Sequence, residues 1–161
     1  MYTWIPDNEI FKADFEEAEI PKASQARYLL QKIEGALRLS AGVDELEVSG
    51  NAKVHVDQIY PQQPGQELRL EEHDSWIHRL GNLTLLSGRK NQAFSNRPYP
   101  EKAASYAESA LLISSQTNVS NLWDSEKSQW RPEGISERQA RLAKVALSVW
   151  PGASQWSGGR T

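Results

Sequence analysis

Three short motifs in a fixed order constrain this chain more than any other feature. Val54-His55-Val56-Asp57-Gln58-Ile59-Tyr60 has the β-branched and aromatic content of a strand, and Pro61, which cannot donate to a sheet ladder, closes it. Alternation puts Val54, Val56 and Gln58 on one face and His55, Asp57 and Ile59 on the other. Leu83 to Leu86, entered through Leu80-Gly81-Asn82, is short and apolar and reads as the returning strand of a hairpin. Ser87-Gly88 breaks that run, and a short helix carrying Asn91 is expected to follow. The polar stretch from Gln62 to Glu72, with Pro64-Gly65 inside it, reads as the loop between the strands.

Around this hairpin the periodicity is helical. Ala26, Leu29, Leu30, Ile33, Ala36 and Leu37 recur at i, i+3, i+4, i+7 spacing after a start signal at Pro21 to Ser24, which predicts an amphipathic helix ending near Ser40. Pro100 to Ser114 predicts another, with Ala103, Tyr106, Ala110 and Ile113 on one face. A last helix is expected from about Ser136, with Leu142, Val145, Ala146, Val149 and Trp150 as its apolar stripe and Pro151-Gly152 as its stop. The expected class is α+β, mostly helical, with a β-hairpin surrounded by helices. At 161 residues, 39% of them hydrophobic, one domain over residues 1–152 can bury a real core, and the Gly- and Ser-rich tail 153–161 is expected to be disordered.

The chain has no cysteine, which excludes thiol nucleophiles, disulfides and Cys-rich zinc sites. Any metal must sit on oxygen and imidazole ligands, and an oxygen-rich set favours Mg2+ or Mn2+. No secretory h-region and no membrane-spanning apolar run is visible, so the expected setting is the cytoplasm without membrane contact. A net charge of -3 argues against wholesale DNA binding, but the charges are segregated. From His78 to Lys102 there are five basic residues, Arg79, Arg89, Lys90, Arg97 and Lys102, against Glu101 alone; from Asp57 to Asp74 five acidic residues face only Arg69. The basic set lies around the two asparagines Asn82 and Asn91, and is the expected phosphate-contacting set; Arg89 and Lys90 lead it because a helix N-terminus also favours anions.

Read together, the Asp57-Gln58-Ile59-Tyr60-Pro61-Gln62 motif, Leu80-Gly81-Asn82-Leu83-Thr84-Leu85-Leu86, Asn91, Ser95-Asn96, Lys102 and Tyr106 resemble a metal-dependent HNH nuclease site. With the early helix around Arg27-Tyr28-Leu29-Leu30 and the closing stretch from Ile135 to Trp150, the pattern is similar to the HNH nuclease-like C-terminal domain of GmrSD-type restriction proteins, over about Trp4 to Pro151. The resemblance implies a small ββα-metal core, nicking or cleavage of DNA, and defence against phage or modified foreign DNA. It also implies an N-terminal ParB-like nucleotide-hydrolysing sensor domain as partner, so the chain is expected to be the C-terminal effector part of a longer protein.

The same resemblance assigns roles. Asp57 and Asn91 become ligands of one divalent cation, with Asn96 as the alternative to Asn91, and Asn82 braces the loop and orients the base. The base belongs at position 58, where the family has histidine and this chain has Gln58. A neutral amide cannot take a proton near neutral pH, so the expected activity is absent or impaired. His55, two positions from Asp57, and His78, four before Asn82, are the other imidazoles that could serve; His73, among Glu71, Glu72 and Asp74, is expected to be solvated. The alternative is a non-catalytic DNA-binding or protein-docking module built on a degenerate nuclease scaffold.

Overall fold

The computed structural model describes residues 7–43, 54–87, 96–115, 123–124 and 129–151. In chain order these form α1 (Asn8–Glu17), α2 (Ala23–Ala41), β1 (Val54–Gln58), α3 (His73–Ile77), β2 (Leu83–Ser87), α4 (Tyr99–Ala107), α5 (Leu112–Ser115), β3 (Trp123–Asp124), β4 (Gln129–Trp130) and α6 (Pro132–Val149). The class is the mostly helical α+β one that the periodicities predict. No helix among the described residues is long and apolar enough to cross a membrane.

β1 and β2 pair antiparallel, with Asp57 opposite Thr84 and Gln58 opposite Leu83. The hairpin lies between two apolar clusters. Val54, Leu83 and Leu85 join Phe15, Leu30, Ile33 and Ala143 in one; Leu86 and Ile59 join Tyr60, Ile77, Tyr106 and Ile135 in the other. This is the period of two expected of a strand buried on both sides. α6 packs against α1, α2 and the 3-10 turn Leu80–Asn82 that leads into β2.

Several boundaries differ from expectation. The stretch read as one helix from Pro100 to Ser114 is two helices, because Glu34 of α2 reaches across and accepts from Leu112 N at 2.9 Å and Ile113 N at 2.7 Å, capping a new start for α5. α6 begins at Pro132 rather than near Ser136, since proline at a first helical position has its φ already set and no N–H to waste. α1, with its first turn capped by the Asp7 carboxylate on Ile10 N, has a charged sequence from which no helix was expected. The Gln62–Glu72 connection holds a 3-10 turn, Gln66–Leu68. The expected helix around Asn91 and the tail 153–161 lie outside the described residues.

Candidate active site

β1 ends where Asn82 takes over its hydrogen bonding. Ile59 N donates to the Asn82 carbonyl at 2.9 Å, Tyr60 N donates to Asn82 Oδ1 at 2.7 Å, and Asn82 Nδ2 donates to the carbonyls of Tyr60 at 3.0 Å and Ile77 at 3.3 Å. A single buried amide thus splices the strand end, the end of α3 and the turn before β2. The residue immediately before this splice, Gln58, is half-buried and donates from Nε2 to the Ile77 carbonyl at 3.1 Å. The strand therefore presents positions 57 and 58 at a point whose backbone is held from three directions.

The turn is held from behind by α6. Gln139 accepts at Oε1 from Gly81 N and from Arg79 Nε, both at 3.1 Å, while its Nε2 donates to the carbonyls of Phe15 at 2.7 Å and Ala18 at 3.0 Å. Arg138 donates to the carbonyls of Gly81 at 2.7 Å, Leu83 at 2.8 Å and Ile113 at 3.2 Å. Burial lowers the Arg138 guanidinium to about 10, so it is still charged at neutral pH.

Asp57 is buried, with relative exposure of 3%. Lys102 Nζ, from α4, lies 3.5 Å from its Oδ1 and 3.3 Å from its Oδ2, and 2.6 Å from the Gln58 carbonyl. The Tyr106 hydroxyl, one turn further along α4, donates to Asp57 Oδ2. Burial raises the Asp57 carboxyl above its ordinary value even though Lys102 and Tyr106 act in the opposite sense; burial likewise lowers the Lys102 ammonium. The Tyr106 hydroxyl is pushed well up by its burial and then by the adjacent carboxylate.

The structure brings Asp57, Gln58 and Asn82 together at one strand end. Asn91, Arg89 and Lys90 lie outside the described residues, and Asn96 is exposed in the turn before α4. Two of the five basic residues expected to contact phosphate are corrected by burial. Lys102 is fully buried on Asp57, and Arg79 is buried between Gln139, the Glu16 carbonyl at 2.7 Å and Glu17 at 3.4 Å, so neither offers its charge to a backbone in solvent. Arg97 is exposed and pairs with Glu101 at 3.1 Å. His73, expected to be solvated, is buried: its Nδ1 is 2.6 Å from the Tyr60 hydroxyl and its Nε2 is 3.0 Å from the Gln62 carbonyl. Nε2 can only donate to that carbonyl, which leaves Nδ1 of the neutral ring to accept the Tyr60 proton, while the Tyr60 oxygen accepts from Leu70 N at 3.0 Å; His73 thus pins the loop after β1. His55 and His78 are both half-buried.

Asp57 is a suitable hard ligand, yet the described residues contain no group of three His, Asp or Glu side chains that could hold a metal. Both Asp57 oxygens are already engaged by Lys102 and Tyr106. As folded, this part of the expected ligand set does not fit a divalent cation.

Periodicity placed Tyr106 on a helix face but not its bond to Asp57, and it did not reveal the burial of Lys102, Arg138 and Gln139 at the site. The available signal was spacing: Lys102 and Tyr106 are four apart, as are Ile135 and Gln139, so each polar group shares a helix face with a core residue. No curated protein matches the chain. Residues 5–145 match the family model of the C-terminal domain of GmrSD restriction endonucleases, and the chain belongs to that family.

Proposed function

We propose that this domain is the DNA-cutting effector of a phage-defence restriction protein, acting in the cytoplasm, and that it is silent or weak in this chain because Gln58 holds the position of the general base. The observation that carries this reading is the placement of Asp57 and Gln58, as successive residues, at a strand end braced by Asn82. Hydrolysing a phosphodiester requires an activated water and a positive group to meet the charge that builds on the phosphate. Position 58 is where the motif expects the base, and Gln58 fails the requirement in chemistry, since an amide has no basic lone pair to offer.

Mg2+ or Mn2+ belongs to this proposal as the group that would supply the positive charge; Asp57, held by Lys102 and Tyr106 as folded, would serve as its donor with Asn91 only once freed of them. DNA is the substrate, with Arg89, Lys90 and Arg97 as its phosphate contacts. An N-terminal ParB-like nucleotide-hydrolysing domain of the same protein is the proposed sensor. A second reading, a non-catalytic DNA-binding or protein-docking module, is favoured by one observation: the strand carboxylate is already closed off by Lys102 and Tyr106.

Plasmid nicking with Mg2+ and with Mn2+, run on this chain and on Gln58→His, separates the readings. The histidine form is expected to cut at least ~100-fold faster, the scale on which a positioned base contributes. Cutting by both forms would move the base to His55 or His78. If neither cuts while DNA is still bound, the docking module is the better description.

A further inference from the structure

The solvent side of α2 carries no carboxylate, although the chain as a whole is acidic. Lys22 at its N-cap and Lys32 are exposed, Arg27 is half-buried, and the single acid of the helix, Glu34, is buried under α5. The nearest exposed carboxylate in sequence, Glu19, precedes this stretch rather than interrupting it. Lys22, Gln25, Tyr28, Leu29 and Lys32 follow one another at helical spacing, so a cation stands at each end of a stripe about 15 Å long. Between them the Tyr28 ring is 53% exposed, with the Lys32 ammonium 5.7 Å from its centre. Beside the ring lies an open groove of about 400 Å³, lined by Ile20, Ser24, Gln25, Tyr28 and Leu29. One pairing joins this groove to the strand end: Ile20 N donates to the His78 carbonyl at 2.8 Å, and the neighbouring Ile77 carbonyl accepts from Gln58.

We propose that this stripe binds single-stranded DNA, with an unpaired base against Tyr28 and the flanking phosphates on Lys22 and Lys32. This deepens the nuclease reading, on which the choice of DNA rests, by naming a surface along which an unpaired strand approaches position 58. Charge decides the occupant. An apolar protein helix laid on the stripe would leave two ammonium groups without acceptors, whereas a polyanion meets both. An aromatic face flanked by cations holds an unpaired strand without regard to sequence, the base stacking on the ring while its phosphates are neutralised alongside. Duplex DNA keeps its base faces stacked inside, so it can use the lysines but not the ring. The stripe also supplies exposed cations where Arg79 and Lys102, being buried, do not.

Fluorescence anisotropy of a labelled, mixed-sequence strand of about 12 nucleotides tests this apart from cleavage, with the chain at low salt and no divalent cation. Tyr28→Ala is expected to weaken binding about tenfold, while Tyr28→Phe, which keeps the ring, binds as the parent does. Lys22→Gln combined with Lys32→Gln should weaken binding and make the slope of log affinity on log salt shallower by about 1.4, the share of two phosphate contacts on a single strand. Because these side chains are exposed, the variants should keep the parent's melting temperature.

Full affinity in Tyr28→Ala, an unchanged salt slope in the lysine variant, or tighter binding of a duplex of the same length would each overturn the proposal. Absence of binding by the unsubstituted chain would overturn it too, and leave the groove to a protein partner. If the substitutions act as expected but Gln58→His fails to cut DNA, the nuclease reading falls and the surface stands. If Gln58→His cuts while its affinity for DNA ignores these substitutions, the surface falls alone.

Discussion

Gly81→Ala is expected to lower the melting temperature by about 10 °C, corresponding to roughly 3 kcal/mol in a domain of this size. Gly81 sits in the 3-10 turn against α6 with no space for a side chain. A methyl there would overlap the Ile135 carbonyl oxygen and lie 2.9 Å from Gln139 Cβ and 3.0 Å from Gln139 N. Two of these neighbours are helix backbone, which cannot rotate aside. The substitution must push α6 off the turn, and the bonds that Gln139 and Arg138 make to Gly81 go with it. Thermal unfolding followed by circular dichroism measures the loss. A melting point within about 2 °C of the parent would mean that the helix and turn are less tightly packed than described.

Arg138→Met should cost a comparable ~3 kcal/mol, for a different reason. The thioether fills much of the guanidinium's volume but donates nothing, so the carbonyls of Gly81, Leu83 and Ile113 lose a charge-assisted partner in a buried site. Arg138→Lys is expected to recover only part of the loss, since one ammonium cannot span all three acceptors in the geometry of the fork. Chemical denaturation of the three forms checks this. An unchanged denaturation midpoint for the Met form would sink the assignment of Arg138 as the clamp on the turn. Gly81→Ala and Arg138→Met act on the same turn, and their effects should fall short of additivity when combined.

Both cases show what periodicity conveys and what it omits. The α2 stripe, the two strands and the apolar face of α6 were legible because burying carbon imposes spacing on the chain, and the observed elements Ala23–Ala41, Val54–Gln58, Leu83–Ser87 and Pro132–Val149 follow that spacing. Glu34, Lys102 and Arg138 were not legible in this way. A charged side chain is by default assigned to water, yet these three are buried, each against a partner distant in sequence: Glu34 under α5, Lys102 on Asp57, Arg138 on the β2 turn. Their burial depends on tertiary partners that no local pattern encodes. That Asp57, Gln58 and Asn82 meet at one strand end could be read because their motifs are short and ordered. Which side chain answers the Asp57 carboxylate could not be, because Lys102 looked like one more member of a basic surface.

The splice made by Asn82 also bears on how the molecule assembles. β1 and β2 are joined not by a tight turn but by residues 59–82, including a 3-10 turn and α3. Closing so long a connection costs chain entropy before any ladder bond forms, and docking α6 on α1 and α2, across residues 18–131 and 42–131, costs more still. The hairpin should therefore pair before α6 closes over the turn. Substitutions in the β1–β2 pair, Val56→Ala for instance, are then expected to slow refolding in stopped-flow measurements more than a substitution in α6 such as Leu142→Ala does. Refolding slowed only by the α6 substitution would place the docking of that helix in the nucleus instead. In the expected order, the Asp57 end of the strand has found its partner strand before the last helix locks the turn from behind.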